Sequence, residues 1–222
     1  MFSRIHVVGR GRVGAAIQAR LAEQELTADR NPDLILLCVP DQAITEVARA
    51  QPIGPWIAHV SGATPLTALA PHERRFGVHP LQTFVAGRGP EQLDGAWGAV
   101  TAGTRDAASH GWWLAERLGL RPFELRDDRR ALYHTGASIA SNFLVAIHDA
   151  ASRAVEAAGV PRDALLPLIR RTIDTGFALT GPISRGDWET VDAHVQALRR
   201  DLPDLEPLYN ALAAYTRTIA SR

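Results

Sequence analysis

The chain has no lysine: all 24 of its basic residues are arginine, and 24 aspartates and glutamates balance them to a formal net charge of zero. Without lysine there is no Schiff-base nucleophile, no ammonium general acid and no P-loop lysine. Arginine keeps its proton at neutral pH, so it can orient anions but is a poor proton shuttle. Acid–base chemistry therefore falls to the eight histidines, the carboxylates, the tyrosines or the single cysteine. The zero net charge removes the basic excess that would mark a nucleic-acid or membrane-surface binder. Cys38, alone, can make neither an intrachain disulfide nor a cysteine-built zinc site, and no metal is expected. A reducing, cytoplasmic setting follows from the same count. The longest strongly apolar run, Leu34 to Val39, has six residues, against the ~20 needed to cross a bilayer. The first residues lead straight into a strand pattern, so no signal peptide is expected.

What is present divides the chain in two. Up to about residue 125, short apolar runs alternate with helical stretches. Strands are expected at Arg4–Val8, Glu25–Ala28, Leu34–Val39, Trp56–Val60, Phe76–His79, Gly98–Thr101 and Arg121–Glu124. Helices are expected to begin near Arg12, Asp41, Thr64 and Thr104. That alternation predicts an α/β domain over 1–125 built on a mostly parallel, doubly wound sheet. An all-helical domain is expected over 126–222. Its first helix, capped by Asp127 or Asp128, should run unbroken to Ala158 and end at Gly159. A helix of about 30 residues, roughly 45 Å long, suits a domain spine or a dimer contact. Pro167 predicts a turn over 161–166 and a new helix behind it. Two further helices are expected near 188–200 and 204–220.

The segment Gly9-Arg10-Gly11-Arg12-Val13-Gly14 stands between the first strand and the first helix. A dinucleotide-binding fold needs this pattern at that junction. Gly9 would permit the tight turn, Gly11 the approach of a pyrophosphate, and Gly14 close packing of helix on strand. The helix N-terminus would add N–H groups and partial positive charge. Asp29 lies twenty residues after Gly9, where a carboxylate would bind ribose hydroxyls and favour NAD. Arg10, Arg12 and Arg30 can instead meet a 2′-phosphate, which tilts the expectation to NADP. Ligands of open α/β sheets bind beyond the carboxyl ends of the strands. Val39-Pro40-Asp41, His59-Val60-Ser61-Gly62 and His79-Pro80 fall at such ends. Val39, Pro40, Ser61 and Gly62 join the cofactor-binding candidates, and His79 can face a substrate or fix its loop.

Taken together, G-R-G-R-V-G, L-L-C-V-P-D at 36–41, V-S-G-A at 60–63, H-P-L-Q-T-F at 79–84, Y-H-x-x-x-S-x-x-x-N at 133–142 and L-T-G-P-I-S-R-G-D at 179–187 carry a resemblance over nearly the whole chain. The chain resembles bacterial proteins with an N-terminal Rossmann-like domain and a C-terminal helical domain of unassigned function. These belong to the wider group of 6-phosphogluconate dehydrogenase-like proteins, with ketopantoate reductases, pyrroline-5-carboxylate reductases and β-hydroxyacid dehydrogenases. The resemblance implies a nicotinamide cofactor, commonly NADPH, a small-molecule substrate, and often a homodimer.

Ketopantoate reductases carry a catalytic lysine on the first long helix of the second domain, with asparagines at the following turns. The matching positions here are His134, Ser138 and Asn142, spaced so that all three line one helical stripe. With the lysine missing, His134 becomes the candidate proton donor, since an imidazolium can protonate a developing alkoxide. Ser138 and Asn142 would orient the carbonyl. Leu132, Ile139, Phe143 and Ala146 form a separate apolar stripe expected to meet the core. Arg185 can clamp a substrate carboxylate, with Asp187 orienting it or capping the helix that follows. The expected activity is NAD(P)H-dependent reduction of a small carboxylate-bearing carbonyl compound such as a 2-oxo acid. The alternatives are an imine reductase, for which a strong proton donor is less necessary, and a non-catalytic dinucleotide-binding protein.

Overall fold

Ile5–Val8 (β1), Leu34–Leu37 (β2) and Trp56–His59 (β3) are short runs of apolar and β-branched residues. In the computed structural model, which describes all residues from Met1 to Arg222, they pair in parallel. Arg75–Leu81 (β4) joins β3 in parallel, and Trp97–Ala102 (β5) joins β4 antiparallel. Arg121–Glu124 (β6) pairs in parallel with β5 and completes a six-stranded sheet in the order β1-β2-β3-β4-β5-β6. Arg12–Ala22 (α1), Ile44–Arg49 (α2) and Arg105–Arg117 (α3) connect the strands. The chain divides into two compact units, Met1–Ser141 and Asn142–Arg222. The division expected after residue 125 falls at the end of β6.

β2 shows why the sheet is covered on both faces. All four of its residues are buried. Leu34 and Leu36 join a core with Ile17 and Leu21 of α1 and Leu114 of α3. Ile35 and Leu37 point the other way, onto Ile44 and Ala48 of α2. Alternation sends successive side chains to opposite faces, and a strand buried on both reads as an unbroken apolar run.

The expected strand at Glu25–Ala28 does not form. A single parallel bridge joins Thr27 to Ile5, and Glu25 takes a φ of 58°. The bridge still lies on the side of β1 opposite β2. The strand order therefore reverses at β1, and a doubly wound sheet opens its ligand crevice at such a switch point.

The helix expected from 127 to 158 is also modified. Asp127 opens a short 3₁₀ turn, and helix Arg130–Ser138 (α4) follows. A π turn spans Ile139–Phe143, and Leu144–Ala157 (α5) continues in α geometry. Neither expected cap acts on this helix: Asp127 accepts the Leu66 N–H at 3.0 Å, and Asp128 pairs with Arg126 at 2.7 Å. Leu165–Asp174 (α6) starts two residues before Pro167, which sits in the first turn, where a missing N–H costs no helical bond. Pro182–Arg185 (α7), Trp188–Asp201 (α8) and Glu206–Ala220 (α9) complete the second unit. No helix is long and apolar enough to cross a membrane.

Candidate active site

The three loop glycines have different jobs, and the backbone separates them. Gly9 has a φ of 107°, and a Cβ there would overlap the Cys38 carbonyl oxygen. A Cβ on Gly14 would overlap the Gly9 carbonyl oxygen and come within 3.0 Å of the Cys38 Cβ. These two glycines let β1, β2 and α1 approach. Gly11 differs: a Cβ there meets nothing within 4 Å, and its φ is −68°. Packing therefore does not require a glycine at 11, and the space above it is open. No side chain caps α1, and its first turn holds no acid. The first N–H groups of α1 are thus left for an external anion. Arg10 and Arg12 are exposed beside them, and Val13 is half-buried.

At the other end of the expected cofactor site, the Asp29 side chain is 98% exposed, 3.7 Å from the His6 imidazole. Arg30 is also exposed, so a carboxylate and a guanidinium both face solvent at this end of the sheet. Val39 touches the loop, with its Cγ1 3.2 Å from the Cβ position of Gly9, and Pro40 is exposed. Cys38 is core: burial pushes its thiol up to about 12, so it holds its proton and is no nucleophile.

Beyond β3 the chain builds a histidine cluster. Ser61 is buried, and its hydroxyl is engaged within its own turn, accepting the Ala63 and Thr64 N–H groups and meeting the Thr64 hydroxyl at 2.9 Å. Gly62 is the meeting point. A Cβ there would come within 2.9 Å of both the His79 and the His134 rings. The two rings lie 6.3 Å apart between centroids. His79 Nδ1 is 2.7 Å from the Tyr133 hydroxyl. Burial, then the neighbouring Arg130 charge, lowers His79 to about 4. Burial raises Tyr133 to about 12. At neutral pH the pair is an uncharged imidazole and an intact phenol.

Arg130 underlies this cluster. It is 1% exposed, and its guanidinium donates to the Thr64 carbonyl at 2.7 Å, the Ser61 carbonyl at 2.9 Å and the Thr101 hydroxyl at 3.2 Å. Asp127 stands 3.6 Å away. One side chain from α4 thus pins the turn after β3 to β5. Neither Arg130 nor Tyr133 was picked out from the sequence. Arg130 sits in the run Asp127-Asp128-Arg129-Arg130, which reads as solvated surface, and the partner of Tyr133 is 54 residues away. The only sequence signal for Tyr133 was its place at the head of the 133–142 pattern. His59 was seen at a strand end but not as buried. Its ring has no hydrogen-bond partner, and burial with the Arg130 charge lowers it to about 3.

The remaining predicted residues are dispersed. Ser138 is half-buried in α4, in the first unit with His134. Asn142 and Arg185 belong to the second unit. The π turn widens the helix between Ser138 and Asn142, so the 3.6-residue period behind a single 134/138/142 stripe does not hold through it. The Arg185 guanidinium donates to the Thr180 carbonyl of its own loop. Asp187 caps α8, accepting the Thr190 N–H at 3.1 Å. The apolar stripe expected to meet the core is instead exposed: Leu132 at 69%, Ile139 at 54% and Phe143 at 57%. No cluster of three or more histidine, cysteine or acidic side chains is placed to hold a metal ion.

With this geometry in hand, the chain can be compared with known proteins. Residues 97–216 match the family described as a domain of unknown function, DUF2520. The chain belongs to that family. Among curated proteins none matches it. Solved structures do resemble this DUF2520 protein. A candidate NADP oxidoreductase from Bacteroides fragilis is 20% identical with a TM-score of 0.79, over 99% of this chain and 98% of that one. A protein from Thermotoga maritima is 23% identical with a TM-score of 0.79, over 98% of both chains. A reductive aminase from Aspergillus terreus, in complex with NADPH and ethyl levulinate, is 18% identical with a TM-score of 0.69, over 98% and 95%. At these identities the likeness shows the fold: a Rossmann-like sheet domain followed by helices.

Proposed function

We propose that this DUF2520 protein is an NAD(P)H-dependent reductase of a small carbonyl or imine compound, with NADP as the preferred dinucleotide. The observation that carries the reading is the glycine loop. Two glycines are demanded by packing, while the third leaves open space over an uncapped helix N-terminus at the switch point of the sheet. The residues present fit a dinucleotide: Gly9 to Gly14 would hold the pyrophosphate, and Arg10, Arg12 and Arg30 the 2′-phosphate. Val39, Pro40 and Gly62 would line its path. When bound, such a cofactor supplies hydride. The chain supplies the surroundings: the histidine cluster at Gly62 offers groups that can hold or move a proton. Within the first unit, His134 and Ser138 are the proposed proton-donor and orienting residues; Asn142 and Arg185, in the second unit, are proposed as contacts for a substrate carbonyl and a substrate carboxylate. A 2-oxo acid is the proposed substrate class. Imine reduction is the second reading. The missing lysine favours it, and the A. terreus neighbour is named a reductive aminase.

The test is calorimetry with NADPH and NADH on wild type, Gly11→Leu and Arg30→Ala. Wild type is expected to bind NADPH more tightly. Gly11→Leu is expected to lose binding while keeping its melting temperature, because the new side chain fills the open space rather than the core. Arg30→Ala is expected to weaken NADPH by about ten- to a hundredfold, the value of a charge-assisted hydrogen bond. A wild type that binds neither dinucleotide at millimolar concentration ends the proposal. Tighter NADH binding would move the ribose contact to Asp29.

A homodimer is the proposed assembly. Besides Leu132, Ile139 and Phe143, the side chains Val145, Leu168 and Phe177 are exposed, and Ser152 is the one residue of the second unit that is buried. A helical unit with so little apolar burial has its hydrophobic stabilisation still to gain from a second copy. Light scattering is expected to give twice the chain mass, and a monomer at micromolar concentration would sink this assignment.

A further inference from the structure

We infer that Tyr133, hydrogen-bonded to His79, is the catalytic residue that hands the proton to substrate, and that His134 stands one step behind it. The assignment rests on the reductase reading above and names a proton path within it.

Three observations point this way. The Tyr133 oxygen lies 2.7 Å from His79 Nδ1, whereas the His79 and His134 rings are 6.3 Å apart between centroids, too far for a direct hydrogen bond. The other edge of the His79 ring, carrying Nε2, faces Gly62, where His134 also stands and where a Cβ would block both rings. The rings of Phe123 and His79 meet Tyr133 edge-on, 5.9 and 5.5 Å between centroids, so the phenol has a fixed place. An imidazole held between a phenol and a second imidazole can pass a proton by changing tautomer. It gives up the hydrogen on Nδ1 while gaining one on Nε2.

A bound reduced nicotinamide, the donor class proposed above, would supply hydride to the substrate carbonyl carbon, and the C=O π pair would move to oxygen. That oxygen takes the Tyr133 Oη proton. The phenolate oxygen takes the His79 Nδ1 proton, and His79 Nε2 takes one from a water, which His134 or bulk solvent recharges. The products would be an alcohol, an oxidised nicotinamide, an intact phenol and a neutral His79 in its other tautomer, with one net proton taken from solvent or from a protonated His134. The buried Arg130 charge acts on both Tyr133 and His79 and favours a transient phenolate. Asp41 is the acid whose charge reaches His79, and Asp127 and Asp41 act on Arg130. A protonated imine needs no such proton, so the path matters for carbonyl substrates and not for iminium ions.

The experiment compares wild type, Tyr133→Phe and His134→Ala, each checked for NADPH affinity by calorimetry and for melting temperature. Single-turnover reduction of a 2-oxo acid by Tyr133→Phe is expected to fall about 10²–10⁴-fold, the usual worth of a general acid. Reduction of a preformed cyclic iminium should fall far less. His134→Ala is expected to fall by about tenfold, since water can recharge His79. A second readout is free of turnover. The ¹⁵N spectrum of the His79 ring should report one dominant neutral tautomer in wild type and a mixed one in Tyr133→Phe. Equal rates for wild type and Tyr133→Phe, a His134→Ala as slow as Tyr133→Phe, or an unmoved His79 ¹⁵N signal would each overturn the assignment while leaving the reductase reading intact. A wild type that binds NADPH but reduces neither substrate class overturns both.

Discussion

Arg130→Met is expected to destabilise the first unit by about 3–5 kcal/mol, the cost of breaking up a buried, hydrogen-bonded charge. The guanidinium is 1% exposed and donates to two carbonyls and a hydroxyl drawn from the turn after β3 and from β5. Methionine fills similar volume but donates nothing. The Ser61 and Thr64 carbonyls lose their guanidinium donors in a place water reaches poorly, at about 1–3 kcal/mol for each buried group left unpaired. Thr101 suffers less, because its hydroxyl keeps its bond to the Leu125 carbonyl at 2.8 Å. Arg130→Lys should recover little, since one ammonium cannot reproduce a fork that reaches three acceptors. Urea unfolding would measure the loss, and a change under about 1 kcal/mol would show that Arg130 is not the tie described.

The second large effect is loss of stability in acid. His59 is held to about 3 and His79 to about 4, both from an ordinary value of 6.5. Between those limits the unfolded chain binds protons that the folded chain refuses. Their contribution is therefore complete above pH 6.5 and is lost as the pH falls toward 4. Each such group costs about 1.4 kcal/mol per pH unit in that window, so two together give a slope of roughly 2–3 kcal/mol per unit. Over two units this approaches the whole stability of an ordinary domain, about 5–15 kcal/mol. Urea midpoints at pH 7, 6 and 5 should fall accordingly. His59→Leu should remove about half the slope and, because the ring has no partner to lose, cost little stability at pH 7. A stability that stays flat from pH 6.5 to 5 would contradict the burial of both rings.

Much of the sheet was legible because its signals are local. An apolar run such as Leu34–Leu37 reads as a strand from the sequence alone, and all six strands lie where strands were expected, although β6, Arg-Pro-Phe-Glu, is only half-buried and barely apolar. The seventh failed because Glu25–Ala28 is held to β1 by one bridge only, with Glu25 at positive φ. The helix from 127 onward was legible in extent but not in pitch, since nothing in residues 139–143 announces a π turn.

The chain alone determined the glycine loop, the absence of lysine and hence of ammonium chemistry, and the order of strands before helices. These depend on backbone sterics and residue identity, which neighbours in sequence settle. Only the tertiary structure decided which histidines are buried, that Arg130 is a hub and not a surface charge, and that Tyr133 rather than its neighbour touches His79. Periodicity says which residues share a face of α4, but not what lies opposite. The acceptors of Arg130 are 29, 66 and 69 residues away along the chain. Burying a guanidinium is favourable only when all of them arrive together, and that condition exists only in the folded protein.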